Sequence, residues 1–281
     1  MAPPPTPLQP LIAVLGCGWL GLPLAQALVE EGYAVAGSTT TPGRLLAMRD
    51  AGIRPYLLEL SPTLTATDQD TLHTLLTGAR VLVLNVPPST AKGQYVALLQ
   101  PVYRAAAECG VRQVLFVSST GVYADEPRVM TETDALATPD ADSELLRAES
   151  LFAHPDAPFS TTVVRLAGLI GPKRAPGRFL AGRTDLPKPQ APVNLIHLTD
   201  CLGILCRIIR QRAWGHTFNA AAAHHPTRQE FYTAAAAHLG LAPPTFAEED
   251  TLGKRIDSEL LRQKTGYAFQ FDDLHEAMKH C

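Results

Sequence analysis

The chain has little net charge, no long apolar run and no Cys-x-x-Cys pair, and each absence removes a class of function. Its 24 Lys and Arg stand against 27 Asp and Glu in 281 residues, a formal net charge of −3 at pH 7. That balance offers neither a basic footprint for nucleic acid nor attraction to an anionic membrane. No run of about 18 apolar residues exists, so no segment reads as a membrane-spanning helix. The five cysteines (Cys17, Cys109, Cys201, Cys206, Cys281) are odd in number and lack Cys-x-x-Cys spacing, which points to reduced thiols and a cytoplasmic protein. Cys201 and Cys206, five apart on an expected helix, do not share a face on which one metal could be ligated, and no metal site is expected. Residues 1–7 form a proline-rich arm with no basic segment and no apolar core, so they do not read as a signal peptide.

What is present is an ordinary globular composition, 46% hydrophobic and 18% charged, at a length that suits one α/β domain with a smaller appendage. The chain is organised around residues 11–21, Leu-Ile-Ala-Val-Leu-Gly-Cys-Gly-Trp-Leu-Gly, a buried strand running into a glycine-rich turn and then an apolar-periodic helix. Gly16, Gly18 and Gly21 have the G-x-G-x-x-G spacing: the first for a tight turn, the second for close approach of a pyrophosphate, the third for helix–strand packing. Trp19 and Leu20 complete this candidate cofactor loop, and Pro23 falls in the first helical turn, where its missing N–H does no harm. A plain strand-turn-helix remains the alternative, because glycines also collect in turns.

A second strand ends near residue 38, where an Asp or Glu would bind the ribose of NAD. Here the chain reads Gly-Ser-Thr-Thr-Thr-Pro-Gly-Arg over 37–44, with no carboxylate until Asp50. Ser38, Thr39, Thr40 and Arg44 are therefore candidates to surround a 2′-phosphate, and NADP is preferred, with NAD possible. Capping of the following helix by Thr39–Thr41 is a compatible alternative. Further strands are expected at 54–60, 81–86 and 113–119, separated by helices at 68–78 and 95–109. The alternation describes α/β architecture with a doubly wound parallel sheet. Leu60, Asn85, Val86 and Pro87, at the carboxyl ends of the third and fourth strands, count as candidate cofactor contacts.

The glycine-rich start, Ser-Ser-Thr-Gly-Val-Tyr at 118–123, Val-Arg-Leu-Ala-Gly-Leu-Ile-Gly-Pro at 164–172, Val-Asn-Leu-Ile-His-Leu-Thr-Asp at 193–200 and the closing Gly-Lys-Arg-Ile-Asp-Ser-Glu-Leu-Leu at 253–261 occur in order. Together they resemble the extended short-chain dehydrogenase/reductase superfamily, the NAD-dependent epimerase/dehydratase relatives, over nearly the whole chain. The resemblance implies a Rossmann-type fold with a small interleaved C-terminal substrate lobe, divided as 8–167 and 168–281 with about 195–222 returning to the core sheet. It implies Ser119 as the group that polarises a substrate carbonyl, and Ser118 and Gly168 at the cofactor.

Catalysis in that family rests on a Tyr-x-x-x-Lys helix, and no tyrosine in this chain has a lysine four residues later. Aligned on its Arg-Ala-Glu ending, the helix at 142–149 puts Ser143 in the tyrosine position and Arg147 in the lysine position. An alkyl hydroxyl is a far poorer proton donor than a phenol, and arginine keeps its proton near neutrality. Arg147 retains the ability to bind ribose or phosphate oxygens. The pattern resembles the atypical YeeZ-like branch of the superfamily. Substitute acids are Tyr123, Asp125, Asp134 and His197, whose ordinary readings are packing, solvated loop, solvated loop and a satisfied structural histidine.

The proline-rich, glycine-rich segment 168–194 carries Lys173, Arg174, Arg178 and Arg183, suited to an anionic ligand or to a solvated loop. Thr120, Arg174, Arg178 and Asn194 are the candidate substrate contacts. Asp200 is expected to cap a helix at 201–210, Thr227 one at 228–239, and 216–220 to be a strand. Ser119 and Ser143 lack a G-x-S-x-G elbow, which argues against serine hydrolase chemistry. The resulting expectation is an NAD(P)-dependent oxidoreductase or epimerase on a small polar or sugar-nucleotide-like substrate, as monomer or homodimer. A non-catalytic NADP(H) sensor is the alternative.

Overall fold

A computed structural model describes residues 10–91, 93–248 and 252–281; the arm 1–7 and the start of the expected dinucleotide domain at Leu8 lie outside them. The strands are β1 (Leu11–Leu15), β2 (Ala34–Thr39), β3 (Ile53–Leu57), β4 (Ala79–Leu84), β5 (Gln113–Ser119), β6 (Val129–Met130), β7 (Ser160–Leu166), β8 (Gly168–Ile170), β9 (Leu195–His197), β10 (Thr217–Ala220) and β11 (Arg255–Ile256). The α-helices are α1 (Gly21–Glu30), α2 (Leu45–Asp50), α3 (Ala66–Leu76), α4 (Tyr95–Glu108), α5 (Glu144–Phe152), α6 (Gly177–Leu180), α7 (Leu198–Gln211), α8 (Arg228–His238), α9 (Glu259–Thr265) and α10 (Leu274–Ala277).

Seven strands form one sheet in the order β3-β2-β1-β4-β5-β7-β10, parallel in its described pairs. The order reverses direction between β1 and β4, which makes the sheet doubly wound, as the alternation of strands and helices predicts. β1 and β4 are inner strands, and the burial of Ile12–Leu15 and Val81–Leu84 is the physical reason these stretches read as apolar runs. By compactness, the described residues of 10–117 and 137–162 form one unit, and those of 118–136 with 163–281 a second.

In the first unit, Gly21, Leu24, Ala25 and Leu28 give α1 one buried stripe at helical spacing. Helix α4 buries Tyr95, Leu98, Leu99, Val102, Ala105 and Ala106 in the same way. An edge-on aromatic cluster joins α4, α5 and β5: Phe152 lies 5.7 Å from Tyr103 and 5.6 Å from Phe116, centroid to centroid. Helix α5 begins at Glu144, not at residue 142. Ser143 stands outside it as the N-cap, its Oγ accepting from the Leu146 N–H at 3.4 Å, because a serine oxygen satisfies an amide that the first turn leaves without a partner.

In the second unit, β8 pairs with β9 and β6 with β11, each in a separate two-stranded parallel sheet. The segment 168–194 therefore contains β8 and α6 as well as loop. Within 195–222, Thr217–Ala220 is in the large sheet and Leu195–His197 is not. A second core gathers Ile170, Val193, Leu195, Ala222, Phe231, Leu274 and Ala277. Thr227 caps α8 as expected, accepting from the Glu230 N–H. The expectation for Asp200 needs correction. His197 occupies the cap of α7, its Nδ1 accepting from the Thr199 N–H at 3.2 Å. Asp200, fully buried in the first turn, accepts from the Gln270 and Phe271 N–H groups and the Tyr267 hydroxyl, and so fastens 267–271 to the helix. No helix among the described residues is long and apolar enough to cross a membrane.

Candidate functional site

The glycine-rich turn is held from two sides. Gly16 has φ of 101°, in the left-handed region, and a Cβ there would run into the Asn85 carbonyl oxygen. The Asn85 Nδ2 donates to the Gly16 carbonyl at 2.9 Å, and the Gly16 N–H donates to Ser38 Oγ at 3.0 Å. A Cβ at Gly21 would meet the Gly16 carbonyl oxygen and the Asn85 amide, so that glycine permits the close packing of α1 on the turn. Gly18 differs from both: nothing lies within 4 Å of a Cβ built there. The first and third glycines are thus filled by the protein's own backbone, and the second faces open space where a diphosphate can approach. Helix α1 begins beside it with no side-chain cap and no acidic residue in its first turn, which leaves its positive end available to an anion. Trp19 is half-buried and Leu20 buried.

At the end of β2, Ser38 and Thr39 are buried, and their hydroxyl oxygens accept from the Gly16 and Thr41 N–H groups respectively. Thr40 and Arg44 are exposed. The Arg44 guanidinium donates to the Cys17 carbonyl at 3.3 Å, which ties this cation to the glycine-rich turn. Burial pushes the Cys17 thiol up to about 12, against the opposing influence of a backbone hydrogen bond with Ser38 and of Arg44, so it stays protonated. Leu60 is half-buried beyond β3, Val86 is buried with its carbonyl accepting from the Tyr95 hydroxyl at 2.6 Å, and Pro87 is exposed.

Arg147, also in the first unit, directs its guanidinium back onto its own loop. Its Nη1 donates to the Ala141 carbonyl at 2.6 Å and the Asp142 carbonyl at 3.0 Å. It lines a groove of about 770 Å³ along α4 and α5 together with Gln94, Arg104, Glu144 and His154. Ser143 and Arg147 therefore cap and brace the start of α5, a local role that an alignment on sequence alone does not reveal.

In the second unit, Ser118 is buried and Ser119 half-buried, the latter's Oγ accepting from the Gly121 N–H at 3.0 Å and keeping its own proton to donate. Thr120 is buried. Tyr123 is buried as well, its hydroxyl donating to Asn219 Oδ1 at 2.7 Å and accepting from Arg165 Nη1 at 2.8 Å. Burial raises its pKa despite the opposing charge of Arg165. Arg165, 1% exposed, also donates to the Glu132 and Ala135 carbonyls, and the Asn219 N–H donates to Glu132 Oε1 at 2.7 Å. This buried network was not singled out from the sequence; an arginine inside the apolar strand Thr-Thr-Val-Val-Arg-Leu is the signal that marks it.

Asp134 caps a short turn, accepting from the Thr131 N–H, the Thr131 hydroxyl and Arg128, and these hold its carboxyl down at about 2. His197 is buried, and burial lowers its pKa. Asp125 pairs with Lys188. The amide of Asn194 is engaged at both ends, Nδ2 donating to the Lys254 carbonyl at 2.9 Å and Oδ1 accepting from the Ile256 N–H at 2.8 Å, so it mounts β11. Gly168 abuts the Leu195 side chain, Arg174 is exposed and donates from Nε to the Leu169 carbonyl, and Arg178 is exposed on α6. The second residue missed from the sequence is Lys254, whose Nζ donates to the Tyr123 carbonyl at 2.6 Å. No group of three or more His, Cys, Asp or Glu among the described residues could hold a metal ion.

No family model matches the chain. It is 36% identical over 267 residues to Protein YeeZ of Escherichia coli (strain K12), covering 93% of this chain and 96% of that one. In structure it is similar to a short-chain dehydrogenase/reductase superfamily protein from Agrobacterium tumefaciens with bound NAD, at TM-score 0.72 and 18% identity over 96% of each chain. It is also similar to UDP-glucuronic acid 4-epimerase from Bacillus cereus in complex with UDP-glucuronic acid and NAD, at TM-score 0.72 and 14% identity over 96% of this chain and 97% of that one. The match at 36% identity runs over nearly the whole of both sequences, the solved structures share the fold, and the chain belongs to the family of Protein YeeZ.

Proposed function

We propose that the chain is a nicotinamide-dinucleotide-dependent oxidoreductase or epimerase that prefers NADP(H), accepts NAD(H), and acts on a small polar or sugar-nucleotide-like carbonyl or alcohol. The observation that carries this reading is the open space at Gly18 between two glycines whose own sites are filled by backbone and Asn85. When bound, the dinucleotide supplies or removes a hydride. The chain's own part is to hold it: the backbone of Gly16, Gly18, Trp19, Leu20 and Gly21 at the diphosphate, Thr40 and Arg44 at a 2′-phosphate, with Ser38 and Thr39 shaping that turn. Leu60, Asn85, Val86, Pro87, Ser118 and Gly168 border the remainder. Ser119 orients and polarises the substrate oxygen through a hydrogen bond from its hydroxyl, and Thr120, Arg174 and Arg178 face the polar substrate. The nucleotide sugar held by the Bacillus cereus enzyme supports that substrate class.

In this reading 8–167 act as the dinucleotide core and 168–281 as the substrate lobe of a cytoplasmic monomer or homodimer. A second reading is a non-catalytic NADP(H) sensor, favoured by the commitment of Ser143 and Arg147 to the start of α5. Titration of the purified chain with NADPH and NADH, followed by a panel of nucleotide sugars and ketones monitored by nicotinamide absorbance, tests both. Binding with turnover supports the enzyme. Binding without turnover of any panel member supports the sensor, and failure to bind either dinucleotide overturns both.

A further inference from the structure

We propose that Lys254 is the acid–base residue of the reaction, its Nζ giving a proton to the substrate oxygen on reduction and accepting one on oxidation, the role for which the chain has no Tyr-x-x-x-Lys tyrosine. This rests on the oxidoreductase or epimerase reading above. Lys254 is far from the glycine turn in sequence, yet its ammonium reaches the short turn that follows β5: it donates to the carbonyl of Tyr123, four residues after Ser119. That turn lies at the carboxyl edge of the sheet, the edge at which open α/β folds place their ligands.

The mount is rigid. Arg255 and Ile256 pair with Val129 and Met130, and both ends of the Asn194 amide grip the backbone on either side of Arg255. Gly253 packs beneath Ala191 with no room to spare, since a Cβ there would lie 3.1 Å from the Ala191 methyl and 3.2 Å from Asp125 Oδ1. The Tyr123 carbonyl takes one of the three ammonium protons, and lysine can present the others.

The competing acids are engaged elsewhere. The Tyr123 hydroxyl is held between Arg165 and Asn219, Asp134 is a capped and ionised carboxylate, and His197 caps α7. Among the described residues, the charges that act on Lys254 are Asp125 and Lys188. Half-burial and the neighbouring Lys188 lower the ammonium pKa from its ordinary value, and Asp125 opposes them, which moves the amine toward the range where it exchanges protons usefully. On reduction the carbonyl oxygen gains a proton from Nζ, the N–H bonding pair stays on nitrogen as a neutral amine, and solvent restores the ammonium. On oxidation the neutral amine takes the alcohol proton, and the nicotinamide dinucleotide is the oxidant.

Competitive acetylation of the intact chain with acetic anhydride, read lysine by lysine by mass spectrometry between pH 6 and 11, tests the amine directly. Lys254 is expected to react with a midpoint below the ordinary value of a lysine ammonium, because burial disfavours its charged form. Lys188→Met should raise that midpoint and Asp125→Asn lower it. For any panel compound turned over, Lys254→Arg, which keeps the charge but holds its proton, should reduce kcat about 100-fold or more with KM and NADPH affinity within about threefold. The wild-type kcat should change with pH at the acetylation midpoint. A Lys254 midpoint at or above the ordinary lysine value overturns the proposal, as does an undiminished kcat in Lys254→Arg. Absence of dinucleotide binding by the wild type overturns instead the reading on which it rests, and the acetylation midpoint is still read separately.

Discussion

The buried guanidinium of Arg165 on β7 donates to the hydroxyl of Tyr123, two residues 42 apart in sequence and 2.8 Å apart in space. A cation with only 1% exposure is tolerated because Tyr123, two backbone carbonyls and the nearby Glu132 carboxylate supply compensating oxygen. Tyr123→Phe would leave Arg165 and Asn219 Oδ1 each short of a partner. A loss of about 1–3 kcal/mol is expected in urea unfolding, with NADPH affinity unchanged; loss of dinucleotide binding at full stability would contradict the structural role.

The three glycines of the turn should separate by the environment each occupies. Gly18→Ala meets open space, so its Tm should match the wild type while dinucleotide affinity falls about tenfold or more. Gly16→Ala forces an alanine to φ of 101° against the Asn85 carbonyl and should cost about 1–3 kcal/mol of stability as well. Paired thermal denaturation and fluorescence titration check both.

Arg44 is anchored by the Cys17 carbonyl beside the expected ribose site. Arg44→Ala should weaken NADPH by about 10- to 100-fold and NADH much less, since only NADPH presents a 2′-phosphate to a guanidinium. Equal loss for the two cofactors in calorimetry would remove the basis for NADP preference.

Acid stability carries the signature of Asp134. Its carboxyl is held at about 2 against an ordinary 3.8, so between those values the unfolded chain binds the extra proton. The contribution to stability is complete above about pH 4 and is lost as pH falls through about 2. Asp134→Asn should flatten this part of the stability–pH curve in urea titrations, leaving stability near neutrality lower and less dependent on pH in that window.

Glu132 acts in the opposite sense. Burial raises its carboxyl, although the Asn219 N–H partly offsets this, so the native state binds the proton more tightly. Its unfavourable contribution develops as pH rises from the ordinary carboxylate value through the raised one, and stability should decline across that interval in Asp134→Asn, where the opposing acid limb is absent.

The doubly wound sheet, the order of its elements and the glycine turn were legible in the sequence because each depends on local periodicity: apolar runs for strands covered on both faces, helical spacing for α1 and α4, and glycines where φ or clearance demands them. Helix caps were only partly legible. Thr227 behaves as its local pattern implies, whereas Asp200 yields the cap to His197 because three donors from 267–271 compete for its carboxylate. Ser143 and Arg147 align in sequence with a catalytic pair, but only the folded chain places the serine oxygen on the Leu146 amide and the guanidinium on the carbonyls of 141–142.

The sequence by itself determined the α/β class, the strand-turn-helix at 11–30 and the lack of a Tyr-x-x-x-Lys pair, since these are properties of neighbours along the chain. Tertiary structure alone decided which polar groups meet: Arg165 with Tyr123 across 42 residues, and Lys254 with the Tyr123 carbonyl across 131. Hydrogen bonding acts over a few ångströms of space and carries no memory of separation along the backbone, so no local pattern announces such pairs.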